Sequence, residues 1–409
     1  MNQKLQEYAR LLVEVGINIQ KGQRLIIACP VDHAPFARLC ASIAYEKGCK
    51  EVIMNWSDDE LTRKKYLMAD DSVFDSVPEW LVRFYTDYSK EKAGFLHLVS
   101  TDPENLLGVD ADRILRSHKS QGEALKEYRE IRNKNINPWS IGALASEKWA
   151  KLVFPKLEPE KAVEALWEKI FMAVRVKGDG TAIEAWRAHS KKLRGRMKIL
   201  NDYNFKSLHY KNGLGTDLIV ELAHDHVWEA GGDTTADGQF YMPNMPTEEI
   251  FTANKRDGIN GVVYASMPLC RDGNVIEGLR FEIKDGKIVK ATADKGEGIL
   301  KNAISVDEGA SYFGEVALVP FDSPISNSKT LFYSTLYDEN ASCHFAFGRA
   351  YPTTVKGGIG MSKEQLKEAG LNDSITHVDF MVGTSDLSIV GLTHDGREVP
   401  VFVEGNFAF

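Results

Sequence analysis

Between Leu331 and Pro352 the chain reads LFYSTLYDENASCHFAFGRAYP, and this one segment carries carboxylates, a thiol, an imidazole, a guanidinium and a phenol. They are Asp338, Glu339, Cys343, His344, Arg349 and Tyr351. Gly348 leaves the backbone free to turn among them. Groups of these types coordinate cations, move protons and stabilise developing charge. Taken alone, the segment also reads as a polar turn entering a strand, with Asp338 and Asn340 bonding their own backbone and His344 satisfied in a core.

Three other stretches carry ligand-type residues in equally apolar settings. PNMPTEEIFT (243–252) brings Glu248 and Glu249 out of a proline-rich turn into a strand. GEVALVP (314–320) opens an apolar strand with Glu315, and THVDF (376–380) alternates His377 and Asp379 with Val378. Residues two apart on a strand face the same side, so His377 and Asp379 point together. A lone carboxylate beside Val316, Leu318 and Val319 is costly without a partner, and a cation is the simplest partner that all these groups share. Three or four carboxylates with two histidines suit two divalent ions. The mixed oxygen and nitrogen set fits zinc, cobalt or manganese better than calcium. Two such ions polarise a carbonyl and generate hydroxide at neutral pH. His224-Asp225-His226 has similar chemistry but lies in a polar loop, where solvation or hydrogen bonding accounts for it. Cys343 and His344 are adjacent, so strand alternation turns them apart and disfavours a thiol nucleophile.

The elements that must position these groups fall into two halves. Residues 1–200 alternate helix and strand: a helix face of Leu5, Tyr8, Ala9, Leu12 and Val13, strands at 24–29, 51–55, 94–100 and 139–145, and a helix between Pro30 and Gly48. That alternation predicts a doubly wound α/β domain with parallel strands. No glycine-rich dinucleotide or phosphate loop follows the first strand, which runs into Pro30 and His33. Helical patterns run from Glu158 to Asn204, the second strongly basic on one face. Residues 201–409 predict a mainly antiparallel β (α+β) catalytic domain, with strands near 207–210, 216–222, 275–283, 288–293, 376–382, 387–392 and 399–403. Turns are expected at Asp272-Gly273-Asn274, Lys284-Asp285-Gly286-Lys287 and His394-Asp395-Gly396.

Composition bounds the rest. A chain of 409 residues favours two domains. A formal net charge of −8 argues against a general nucleic-acid binder. No apolar run is long enough for a membrane span. Five cysteines in no CxxC pair predict reduced thiols in a cytoplasmic protein, so any metal would use carboxylates and imidazoles.

The order PTEEIFT, GEVALVP, LYDENASCHFAFGRAYP, HVDFMVG resembles the M29 family of metallo-aminopeptidases, the thermophilic aminopeptidase T group, over essentially the whole chain. The resemblance implies a two-domain, dimeric enzyme that uses two divalent ions (cobalt, zinc or magnesium) to remove N-terminal amino acids from short peptides with a free N-terminus. It implies metal ligation by Glu249, Glu315, His344, His377 and Asp379, with Glu339 a further ligand. It also implies that Glu315 bridges the ions beside the nucleophilic water, and that Tyr351 stabilises the oxyanion or leaving amine. From the residues alone, two alternatives stay open: another binuclear hydrolase such as a phosphoesterase, and a non-catalytic binding protein with a structural ion.

Overall fold

The nearly unbroken apolar run Arg24–Pro30 forms an interior strand of a five-stranded parallel sheet, where both faces of a strand are covered. The structure, a computed structural model, describes every residue except Thr101, Pro103, Asp272 and Gly273, and of Asn133 the backbone alone. The chain divides into two compact units: Met1–Arg187 with Gly232–Pro246, and Ala188–Gly231 with Thr247–Phe409. The division falls within the long helix Ala182–Tyr203.

In the first unit the parallel strands lie in the order Asn244–Met245, Trp139–Ala143, Gly94–Val99, Arg24–Pro30, Glu51–Ser57. Helices such as Ala34–Glu46 and Glu79–Lys90 make the crossovers that parallel pairing requires. The amino-terminal helix Asn2–Leu11 continues into a wide turn at Leu12–Gly16 and packs on the sheet so closely that a Cβ on Gly142 would lie 2.7 Å from Leu12 and 2.8 Å from the Tyr8 hydroxyl. The two-residue strand Asn244–Met245 returns to this unit because it adds to the edge strand at Ile141 and Gly142. A two-residue pairing carries no periodicity, so nothing in the sequence marks it.

The second unit is antiparallel throughout its named sheets. An eight-stranded sheet runs Lys287–Thr292, Arg280–Lys284, Asn254–Tyr264, Asp217–Leu222, Ser207–Lys211, Ser388–Leu392, Glu398–Val403, Asn406–Phe407. A five-stranded sheet runs His377–Met381, His344–Gly348, Phe313–Leu318, Ile250–Thr252, Glu229–Ala230. The two meet through aromatic side chains: Phe281 of the first contacts Phe313, Phe347 and Phe380 of the second at ring centroid distances of 6.0, 6.1 and 5.1 Å. Tyr210 meets Phe345 at 5.0 Å. Such rings dominate core burial energetics.

Local expectations meet two corrections. The run 275–283 is not one strand; Asn274–Ile276 and Arg280–Lys284 belong to different sheets, separated where Gly278 turns at φ +66°. Glu315 does not open its strand but is its third residue, in Phe313–Leu318. Asp338 and Glu339 lie on a short helical turn, Thr335–Asp338 followed by Glu339–Ala341. The turns at 284–287 and 394–396 are present, with Gly286 and Gly396 at positive φ. The turn expected at Asp272-Gly273-Asn274 falls at positions 272 and 273 outside the described residues.

Candidate metal centre

Strand alternation sorts the five-stranded sheet into two chemically distinct faces. Val316, Leu318, Phe345, Phe347, Val378 and Phe380 belong to the buried apolar core. The residues between them, Glu315, His344, His377 and Asp379, therefore share the opposite face. Register brings them level: Ala346 sits between Glu315 on one side and Asp379 on the other, and His377 pairs with Gly348. Ala346 and Ala317 are small, which leaves room between the larger groups. Gly348, at φ +108°, permits the close pairing, since a Cβ there would lie 2.2 Å from the Thr376 carbonyl.

Two triads result, Glu249–Glu315–His344 and Glu315–His377–Asp379, each with ligand atoms within 4.8 Å of one another. Glu315 belongs to both. His344 Nε2 lies 3.3 Å from Glu249 Oε2 and 3.6 Å from Glu315 Oε1. His377 Nε2 lies 3.6 Å from Glu315 Oε2 and 3.3 Å from Asp379 Oδ1. The other nitrogen of each ring is already committed. His344 Nδ1 faces the Ser342 carbonyl at 3.2 Å, and His377 Nδ1 faces the Arg349 carbonyl at 2.7 Å. A carbonyl accepts only, so each Nδ1 donates and each Nε2 is directed at the carboxylates. This is how ligating histidines are oriented by backbone carbonyls.

Charge argues the same way. Burial raises Glu315 above the usual carboxylate range against the pull of His344 and His377. Burial, reinforced by Glu249 and Asp379, raises Glu339 well above it. For His344, burial opposes the charge, but the bonds to Glu249 and Glu315 prevail and its pKa rises well above the ordinary value. His377 goes to about 9, again against burial, through Asp379 and Glu315. Asp379 is held low by His377 despite burial. Were all four carboxylates, Glu249, Glu315, Glu339 and Asp379, ionised together, two protonated rings would leave two negative charges uncompensated in a buried site, and the raised Glu315 and Glu339 reflect that repulsion as well as burial. Divalent cations fit that deficit, and the donor set suits them.

Other expected residues fall around this centre. Glu339 lies within electrostatic reach of Glu249, Glu315, His344 and Asp379 without joining either triad. Tyr351 packs on His377 with ring centroids 4.8 Å apart and the planes tilted by 52°, and also meets Phe251 at 6.3 Å. Its side chain remains 37% exposed, while burial of the hydroxyl end and the nearby Glu315 and Asp379 raise the phenol above its ordinary value. Cys343 is tied to Val319 through its sulfur, at 3.3 Å to the carbonyl and 3.4 Å to the amide, and burial pushes its thiol up to about 12. A nucleophile is excluded there by that protonation and by the bonded sulfur. His226 is buried with Nδ1 on the Ala223 carbonyl, and His224 and Asp225 are exposed, so the trio stands apart from the centre. His33 bonds Ser100 across the sheet's carboxyl end, Nε2 to Oγ at 3.0 Å.

Asn340, expected only as a turn residue bonding its own backbone, also makes a long-range bond. Fully buried, it accepts from the Glu248 amide at 2.7 Å and donates to the Leu336 carbonyl at 3.0 Å and toward Glu339 Oε1 at 3.4 Å. It thus ties the turn bearing Glu339 to the segment bearing Glu249. Its neighbour Glu339 hinted at the place, but the bond spans 92 residues and no local pattern encodes it.

The sequence profile of the thermophilic metalloprotease (M29) family matches residues 1–407. The chain is 45% identical over 408 residues to aminopeptidase AmpS of Bacillus subtilis (strain 168), covering 100% of this chain and 99% of the relative. It is 42% identical over 406 residues to aminopeptidase 2 of Geobacillus stearothermophilus, covering 99% and 98%. The structure of wild-type AmpT from Thermus thermophilus superposes with a TM-score of 0.93 at 38% identity, covering 100% of both chains.

Proposed function

The chain belongs to the thermophilic metalloprotease (M29) family, and on that premise we propose that it is a metal-dependent aminopeptidase, its substrates peptides with a free N-terminus. The observation that carries this reading is Glu315, one carboxylate shared by two ligand triads on a single sheet face. Glu249, Glu315 and His344 would hold one divalent ion and Glu315, His377 and Asp379 a second, with Glu339 a further ligand. When bound, such ions supply Lewis acidity toward the scissile carbonyl and a strongly acidified water.

The chain's own groups do the rest. The carboxylate cluster attracts the substrate's α-ammonium. Glu315 or another carboxylate of the cluster takes the proton from the attacking water and returns it to the leaving amine, the double duty of a general base and acid. Tyr351 donates its hydroxyl to the oxygen that gains charge as the carbonyl is attacked, and so contributes in the transition state more than in the ground state. Its raised pKa keeps that proton in place at neutral pH.

The working metal belongs to the group cobalt, zinc, manganese and magnesium. The five free cysteines accord with a reducing, cytoplasmic setting. No helix among the described residues is long and apolar enough to cross a membrane. A homodimer that binds no nucleic acid completes the reading. The deciding experiment strips the protein with chelator and assays aminoacyl-p-nitroanilides with each metal restored, using N-acetylated substrates as controls. Activity that returns with metal and is abolished by acetylation is expected. Folded, metal-loaded protein without turnover would leave the centre a structural ion site.

A further inference from the structure

Arg349 stands out among the arginines near this sheet. It is half-buried, yet among the described residues its guanidinium makes no ion pair or side-chain hydrogen bond. The comparably shielded Arg256 and Arg280 each pair with a glutamate, at 2.7 Å to Glu308 and 2.8 Å to Glu282. Arg349 is also bound into the site. Its carbonyl holds His377 Nδ1 at 2.7 Å, and two residues on, Tyr351 packs at a tilt against the same ring. Between them Ala350 is buried against a separate small cluster with Val355 and Leu371. Arg349 and Tyr351 thus flank an inward-pointing residue at the edge of the centre.

Opposite charges therefore act at this edge of the centre. The Glu315, Asp379 and Glu339 carboxylates and the Arg349 guanidinium act on the Tyr351 phenol with opposite sign. A short peptide is a complementary dipole, with an α-ammonium at one end and an α-carboxylate at the other. We propose that Arg349 receives the C-terminal carboxylate of a di- or tripeptide whose amino end lies at the carboxylate cluster. Arginine's planar fork matches a carboxylate with two parallel hydrogen bonds, which makes it a specificity element for free-acid substrates. This rests on the aminopeptidase reading and names the substrate class it favours.

The test compares a dipeptide with its C-terminal amide, and glutamyl- with glutaminyl-p-nitroanilide, in the metal-loaded full chain. The native protein is expected to favour the acid over the amide by about tenfold or more in kcat/KM, chiefly through KM. Arg349→Gln is expected to collapse that ratio toward one, and Arg349→Lys to restore part of it. A native ratio near one overturns the proposal without any variant. So does a ratio that Arg349→Gln leaves intact. A variant effect confined to the glutamyl over glutaminyl preference also overturns it, because it moves the contact to the first residue's side chain. Native protein that cleaves no free-amine substrate with any metal would instead sink the aminopeptidase reading itself.

Discussion

Glu315 is the residue on which both triads depend, so its removal separates sharing from mere proximity. Glu315→Gln is expected to lower metal occupancy at both positions and turnover by at least about a hundredfold. Metal analysis after dialysis reads the first effect; loss of only one ion would show that the carboxylate is not shared. Tyr351→Phe keeps the ring on His377 and deletes only the hydroxyl. Turnover should fall about 10²–10³-fold with KM within a few-fold, the pattern of a donor acting in the transition state. Unchanged turnover would remove Tyr351 from the chemistry. The raised histidines make a further expectation. With His377 near 9 and His344 also raised, the metal-free rings carry protons at pH 7 that a cation must displace. Metal binding should therefore release protons, and affinity should fall as pH falls. Titration calorimetry in buffers of different ionisation enthalpy measures this directly.

At the scale of elements, the sheet has one face for chemistry and one for cohesion, and the two are coupled through the same strands. Phe380 lies between the ligands His377 and Asp379 on one side and the rings of Phe281 and Phe313 on the other, at 5.1 and 5.3 Å. Phe380→Ala should cost about 3–5 kcal/mol of stability through the cavity it opens. It should also weaken metal binding, since Asp379 is its immediate neighbour. Denaturant unfolding of the stripped and loaded forms distinguishes the two effects; intact metal affinity in a destabilised variant would show that the strand holds its ligands without its core.

For the whole molecule, each compact unit contains a shielded histidine kept neutral. His97 in the first is lowered to about 4 by burial and by Arg132. His226 in the second is lowered to about 4 by burial and by His394, against a hydrogen bond to Ala223. The unfolded chain has the ordinary value of 6.5, so between pH 6.5 and 4 it binds more protons than the folded state. Stability from both is full above pH 6.5 and is lost as pH falls toward 4, by up to roughly 3 kcal/mol each. Melting at stepped pH tests this. His226→Gln and His97→Gln should each flatten part of the slope, and an unchanged slope in both would assign it to other groups.

The sequence alone determined the period and character of each half. Apolar runs between helical patterns mean parallel strands, because an element must bury its apolar face and a parallel crossover needs a helix. Alternation at His377-Val378-Asp379 fixed which side chains point together, since a strand's period is two whatever it pairs with. The ligand types were legible for the same reason: Glu315 among valines and leucines is anomalous wherever the strand lies. What only the tertiary structure decided is partnership. That Ala346 falls between Glu315 and Asp379, that Asn340 holds the Glu248 amide, and that Asn244–Met245 joins a distant sheet are matters of register between remote segments. Such contacts depend on the fold's closure of long loops, and no local sequence pattern records them.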